Sequence, residues 1–168
     1  MANKNVKGGI FVDTVQKVQE IIEKIGKTPD KLIEILIEIQ SNSDNHYVKE
    51  EELQIVSKCL GIPLSKAYGV ATFYSMLSTR KRGKYLIQIC NSAPCYLKNS
   101  KSVVKAFENI LKIGIGEVTD DGMFSLEYTS CIGACDIAPA VKINDEIYGN
   151  LDKEKIKKII IDLRKEEA

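Results

Sequence analysis

Four of the five cysteines in this 168-residue chain fall in two short stretches, QICNSAPCYLKNS (88–100) and SCIGACDIAP (130–139). Cys90 and Cys95 have four residues between them, and Cys131 and Cys135 have three. Thiolates at such spacings are the ligands that soft metals and iron–sulfur clusters select. Structural zinc also takes four cysteines, but its usual pairs are tighter CxxC turns. Longer loops suit a wider object such as a [2Fe-2S] rhomb, with each iron held by two thiolates. The spacing differs from the plant-type ferredoxin run, so a different cluster fold is implied. A redox dithiol would ordinarily show as CxxC at a strand–helix junction, which this chain lacks. At this level zinc, a dithiol pair and unligated core thiols stand as the alternatives to a cluster.

The residues inside the two loops favour the cluster. Its formal charge is about minus two, since two ferric ions are outweighed by two sulfides and four thiolates. Backbone N–H groups must offset that charge. Ser92, Ala93, Gly133 and Ala134 are small enough to let amides approach sulfur. Pro94 stiffens the first loop without donating, and apolar Ile132, Ile137 and Ala138 would limit water access.

Two halves of different hydrophobic period position these loops. In the first, Val15, Val18, Ile22 and Ile25 recur at helical spacing and Gly26 is a C′ candidate. Thr28 is an N-cap candidate for a second helix, with Pro29 at its first position and Asp30 in its first turn. Leu32, Ile35, Leu36 and Ile39 form its apolar face, and Ile33 and Ile37 widen it enough to suggest contact on two sides, including a second chain. After the polar SNSDNH, residues 50–60 make a third helix ended by GIP, and Ser65 is the cap candidate of a fourth running through KAYGVATFYSML. Basic TRKRGK is the candidate linker. The predicted organisation is a helical, partner-docking domain over 1–82 and a second domain over 83–168.

In the second half KYLIQIC reads as a strand and SKSVVKAFENILKIG as an amphipathic helix with a terminal glycine. MFSLEYT reads as another strand, PAVKIN and IYGN as a hairpin around NDE, and residues 151–166 as a closing helix capped by Asp152. The predicted fold class is α+β: a helical bundle followed by a small mixed sheet flanked by helices, thioredoxin-like in outline. If the strands ending at Cys90 and preceding Cys131 are neighbours, both cysteine loops open at one edge and the four thiolates converge. The remaining chemistry-bearing residues read as structural. Cys59 is a small buried hydrophobe before a glycine, His46 a solvated side chain in a polar loop, and Tyr68, Phe73 and Tyr74 core or interface.

Composition narrows the function classes. Lys and Arg number 24 against 23 Asp and Glu, so no broad field attracts nucleic acid or anionic lipid. No run reaches the roughly 18 to 20 apolar residues that span a bilayer, and the start MANKNVKGGIFVD lacks a signal-type apolar core, so membrane insertion is not expected and the cytoplasm is. There thiols stay reduced, which favours metal binding over structural disulfides. The chain has no GxGxxG after a strand, no Walker loop and no evident catalytic base.

The pattern C-x4-C, a gap, and C-x3-C with GAC and a following AP…IN resembles the thioredoxin-like [2Fe-2S] ferredoxin family. LIEILIEIQ, LGIPLSKAYGVATFYSML and GKYLIQIC are similar to that family's helical leader and first strand, as found in the small subunit of the NADH-oxidising module of complex I and its relatives in NAD(P)-linked hydrogenases and formate dehydrogenases. The resemblance spans residues 30–166. It implies that Cys90, Cys95, Cys131 and Cys135 are the cluster ligands, and that the chain is an electron carrier beside a larger subunit binding FMN and NAD(P)(H), with a further catalytic iron–sulfur subunit. On that footing the chain alone should not oxidise NADH. CYLKNS, and the lack of a long extra tail, point toward a compact, NAD(P)(H)-dependent hydrogenase, with electron bifurcation an open option. NADH–quinone oxidoreductase, formate dehydrogenase or another flavin-based bifurcating complex offers the same role, and a zinc-stapled adaptor is the remote alternative. Asn99 stands where that segment usually has glycine, and asparagine tolerates a left-handed backbone.

Overall fold

The computed structural model describes residues 5–166, with the side chains of its first helix from residue 13 onward. The chain separates into two compact units, Met1–Lys81 and Arg82–Ala168.

The first unit is helical: α1 (Asn5–Ile25), α2 (Leu32–Ser41), α3 (Glu50–Leu60) and α4 (Leu64–Phe73). Val18 and Ile22 of α1 meet Leu32, Ile35, Leu36 and Ile39 of α2 in one core, so the apolar periodicity marks the buried faces. Ile37 lies off that face, 37% exposed. Two caps differ from expectation. Thr28 precedes a 3-10 turn, Pro29–Lys31, without a side-chain cap bond; its hydroxyl is spent on the Asp30 carboxylate, which it holds below the usual range. Pro63, not Ser65, is the N-cap residue of α4, because proline's fixed φ lets the helix begin at Leu64. α3 opens instead with Glu52 accepting from the Lys49 amide at 2.7 Å and closes on Gly61 at φ +64. Cys59 is partly buried against this core. His46 is half-buried rather than fully solvated. Tyr74 packs on the core and meets Phe73 edge to face, while Tyr68 and Phe73 are 51% and 79% exposed.

The second unit runs β1 (Tyr85–Cys90), α5 (Ala93–Leu97), α6 (Ser100–Leu111), β2 (Phe124–Thr129), β3 (Val141–Ile143), β4 (Glu146–Tyr148) and α7 (Lys153–Lys165). The sheet order is β2-β1-β3-β4, with β1 parallel to β2 and antiparallel to β3, and β3 antiparallel to β4. α6 and α7 share one core with the sheet, centred on Phe107, Ile87, Phe124, Leu126 and Ile156. This is the expected mixed sheet with helices. Asp152 caps α7 as the sequence suggests, its Oδ1 accepting from the Lys155 amide at 2.8 Å.

Two local outcomes depart from the sequence reading. Cys95 sits on a helix, α5, rather than in an open loop, because Ser92–Pro94 starts a turn that proline at the N-terminal end tolerates. α6 stops at Leu111 with Lys112 in the left-handed conformation, φ +61, three residues short of the stretch read as helix with a terminal glycine at Gly114. A left-handed non-glycine residue at a helix end is strained. Lys112→Gly should therefore raise the unfolding free energy by about 1 kcal/mol, read from the urea midpoint. Asn99 adopts the left-handed conformation at φ +65, as its place before α6 requires.

Candidate metal centre

Parallel pairing of β1 with β2 brings the two cysteine segments together. Cys90 is opposite Thr129 in the ladder, so both strands leave the sheet at the same end, one toward Cys95 and the other toward Cys131. The Asn91 amide donates to the Thr129 carbonyl at 3.1 Å and extends the ladder past Cys90. The Cys90 amide donates to Ala140 at 3.3 Å, which ties the far end of the second segment to the first.

The four thiols stand as two pairs. Cys131 and Cys135 lie 3.8 Å apart, Sγ to Sγ, and both are exposed. Cys90 and Cys95 are hydrogen-bonded to each other and buried, packed with Ala138 and Ala140 and backed by Ile132 and Ala134. Among the described residues no three His, Cys, Asp or Glu side chains already stand as a single-ion site. What the fold presents is a two-plus-two arrangement.

The electrostatics tie the pairs into one site. Burial is the largest influence on Cys90 and pushes its thiol up. Hydrogen bonds from the Ser92 amide, the Cys95 thiol, the Ile132 amide and the Ser92 hydroxyl together outweigh burial and hold Cys90 below the ordinary thiol range. Cys95 is raised, first by burial and then by Cys90 and Cys135, against an amide bond from Ala140. Cys135 is raised by its bond to Cys131, then by burial and by the charges of Cys131, Cys90 and Asp136. Each pair thus feels the other. A thiolate supported by amide donors is also what a metal ligand requires.

Among the amides that hold Cys90 and Cys95, that of Ser92 belongs to the small residues singled out by the sequence. Ile132 and Ala140 also donate. Their side chains carry no mark of that role, because the donor is backbone and its direction is set by the turn. Gly133, at φ +83, takes the left-handed conformation open to glycine in the turn between Cys131 and Cys135. Ile132 and Ala138 form the apolar backing as expected, whereas Ile137 packs against Gly149. The donor set fits a [2Fe-2S] cluster: two soft-ligand pairs, amides to balance negative charge, and an apolar wall on one side.

A family model described as thioredoxin-like [2Fe-2S] ferredoxin matches residues 18–164. The chain is 36% identical over 145 residues to the NADP-reducing hydrogenase subunit HndA of Solidesulfovibrio fructosivorans, covering 86% of this chain and 84% of that protein. It is 38% identical over 125 residues to a subunit of the NADH-quinone oxidoreductase of Rickettsia felis, covering 74% of this chain and 75% of that one. Among solved structures, an NAD+-reducing [NiFe]-hydrogenase in the air-oxidized state superposes with a TM-score of 0.71 at 21% identity, over 81% of this chain but only 23% of that longer chain. That likeness supports the fold; the sequence matches, over most of both partners' lengths, support descent. The chain belongs to the thioredoxin-like [2Fe-2S] ferredoxin family.

Proposed function

We propose that the chain is the electron-transfer subunit of an NAD(P)(H)-linked oxidoreductase, in which Cys90, Cys95, Cys131 and Cys135 hold one [2Fe-2S] cluster, one thiol pair to each iron. The observation that carries the reading is the meeting of a buried and an exposed thiol pair at one end of a parallel strand pair. When bound, the cluster supplies a one-electron couple. The Ser92, Ile132 and Ala140 amides balance its negative charge at Cys90 and Cys95. Ala138, Ala140 and Ile132 keep water from the inner pair. The exposed Cys131–Cys135 side is the face open to electron exchange.

The electron partner is the flavin of a larger subunit that carries FMN and NAD(P)(H), in a complex with a further iron–sulfur subunit. The names of the relatives favour a hydrogenase or an NADH–quinone oxidoreductase setting. The helical unit is the docking part: Leu64, Tyr68, Phe73 and Met76 stand exposed on α4 and just beyond it. Among the described residues no helix is long and apolar enough to cross a membrane, which suits a place in the cytoplasm.

Protein purified without air should be reddish-brown, carry about two irons and two sulfides per chain, and give an EPR signal after one-electron reduction with dithionite. A colourless protein holding one zinc would overturn the reading. Co-purification of a flavoprotein with a hydrogenase chain, or with quinone-linked subunits, selects the setting.

A further inference from the structure

We infer that Gly149, together with the segment that leads into α7, is a positioning clamp on the turn carrying Cys135, and so governs how firmly and in what geometry the cluster is held. The inference rests on Cys135 being a ligand, as proposed above.

Gly149 lies fourteen positions beyond Cys135 in sequence and follows β4. Its φ is not left-handed, so backbone conformation does not demand glycine there. Space does. A Cβ on residue 149 would stand 2.4 Å from Cγ1 of Ile137 and 2.5 Å from both its Cβ and Cδ1. Rotating the isoleucine relieves contacts to its outer atoms but not to its Cβ, which moves only with the backbone. Ile137 ends the 3-10 turn Cys135–Ile137, so any shift that makes room is passed directly to Cys135.

The turn is also gripped from the same side. The Asn150 amide donates to the Ile137 carbonyl at 2.6 Å and the Leu151 amide to the Pro139 carbonyl at 3.4 Å. Lys155 Nζ donates to the Gly149 carbonyl at 2.6 Å. The Lys155 amide is in turn bonded to the Asp152 cap of α7, whose Ile156 is wholly buried in the core. Rigid core is thereby linked through α7, Lys155 and Gly149 to a turn whose ligand side chain is exposed. An exposed thiol has few contacts of its own to fix it, so its orientation depends on this grip.

The test uses the full chain with its cluster. Gly149→Ala should lose iron to a chelator about tenfold faster than the parent, the scale that supporting-residue losses reach at metal sites. Its reduced-state EPR line shape and midpoint potential should also shift. Neither spectroscopic change is expected from a general loss of stability, which urea unfolding of the apo protein measures separately. In an Ile137→Gly background the colliding Cβ is gone, so Gly149→Ala should add no further change. If Gly149→Ala does not fold, Lys155→Met decides: faster iron loss with an unchanged helical signal supports the clamp, and parental loss rate and EPR overturn it. Parental iron retention and EPR in Gly149→Ala overturn the clamp alone, provided Cys135→Ser loses the cluster. A Cys135→Ser protein that keeps an unaltered cluster overturns the ligand assignment and the clamp with it.

Discussion

Cys131→Ser should leave a protein whose iron and sulfide fall far below two per chain and whose visible absorption largely disappears, while its apo form unfolds at the same urea midpoint as the parent. Serine is a harder, far less acidic ligand than a thiol, and losing a direct ligand costs more than the roughly 10- to 100-fold that outer supporting residues account for. Cys131 is the better site for this test than Cys90. Cys90 is 1% exposed and packed with Ala138 and Ala140, so a polar oxygen there would disturb packing and confound ligand loss with misfolding. Cys131 is exposed, and its replacement removes little but the sulfur. Cys59→Ser supplies the control: it lies in the helical unit against the α-helical core, and the cluster content of that variant should match the parent. Metal content by mass spectrometry, acid-labile sulfide and EPR of the dithionite-reduced protein give the answer. Unchanged iron in Cys131→Ser would remove that residue from the ligand set.

Much of this site was legible because its logic is topological. Strand periodicity in KYLIQIC and MFSLEYT places Cys90 at the end of one strand and Cys131 just past the end of another, and one parallel pairing brings those ends together. The core faces were legible for a similar reason, since helical spacing in LIEILIEIQ separates buried Ile35 and Leu36 from exposed Ile37. What the sequence concealed depends on where backbone groups point. The Ile132 and Ala140 amides reach sulfur through turn geometry, and no side chain announces it. The helix under Cys95 was hidden because five residues with a proline among them look like a loop to any periodicity argument. Lys112 shows the opposite error: a glycine two residues on attracts the helix end, yet α6 has already stopped. Its following residues turn away because Gly116 and Leu126 pair, the Gly116 amide donating to the Leu126 carbonyl at 2.6 Å, so that residues 116–119 cover the outer edge of β2. Tertiary pairing outranks the local signal there.

Gly83→Ala is expected to lower the unfolding free energy by about 2 to 4 kcal/mol, in the range of overpacking against immovable backbone. A Cβ at position 83 would lie 2.4 Å from the carbonyl carbon of Phe124, 2.7 Å from the Ser125 nitrogen and 2.8 Å from the Phe124 Cα. All three are main-chain atoms of β2, so no rotamer change relieves the clash. Gly83 does not have a left-handed φ, which leaves close approach as the reason for glycine. The consequence reaches function through register. Immediately after Gly83, the Lys84 amide donates to the Gly122 carbonyl at 3.1 Å and the Tyr85 amide to Met123 at 2.7 Å, and these bonds start the ladder that ends with Cys90 opposite Thr129. Immediately before it, Arg82 makes a two-pronged ion pair with Glu127, Nε to Oε1 and Nη2 to Oε2 both at 2.8 Å, which pins the lead into β1 against β2. Pushing β1 away from β2 at this end must therefore loosen their alignment at the other, where the cysteine segments depart. Gly83→Ala should show a lower urea midpoint in the apo protein and, in the same samples, reduced iron per chain. A variant with the parental midpoint would show that β2 yields at Phe124, and the register argument would fail with it.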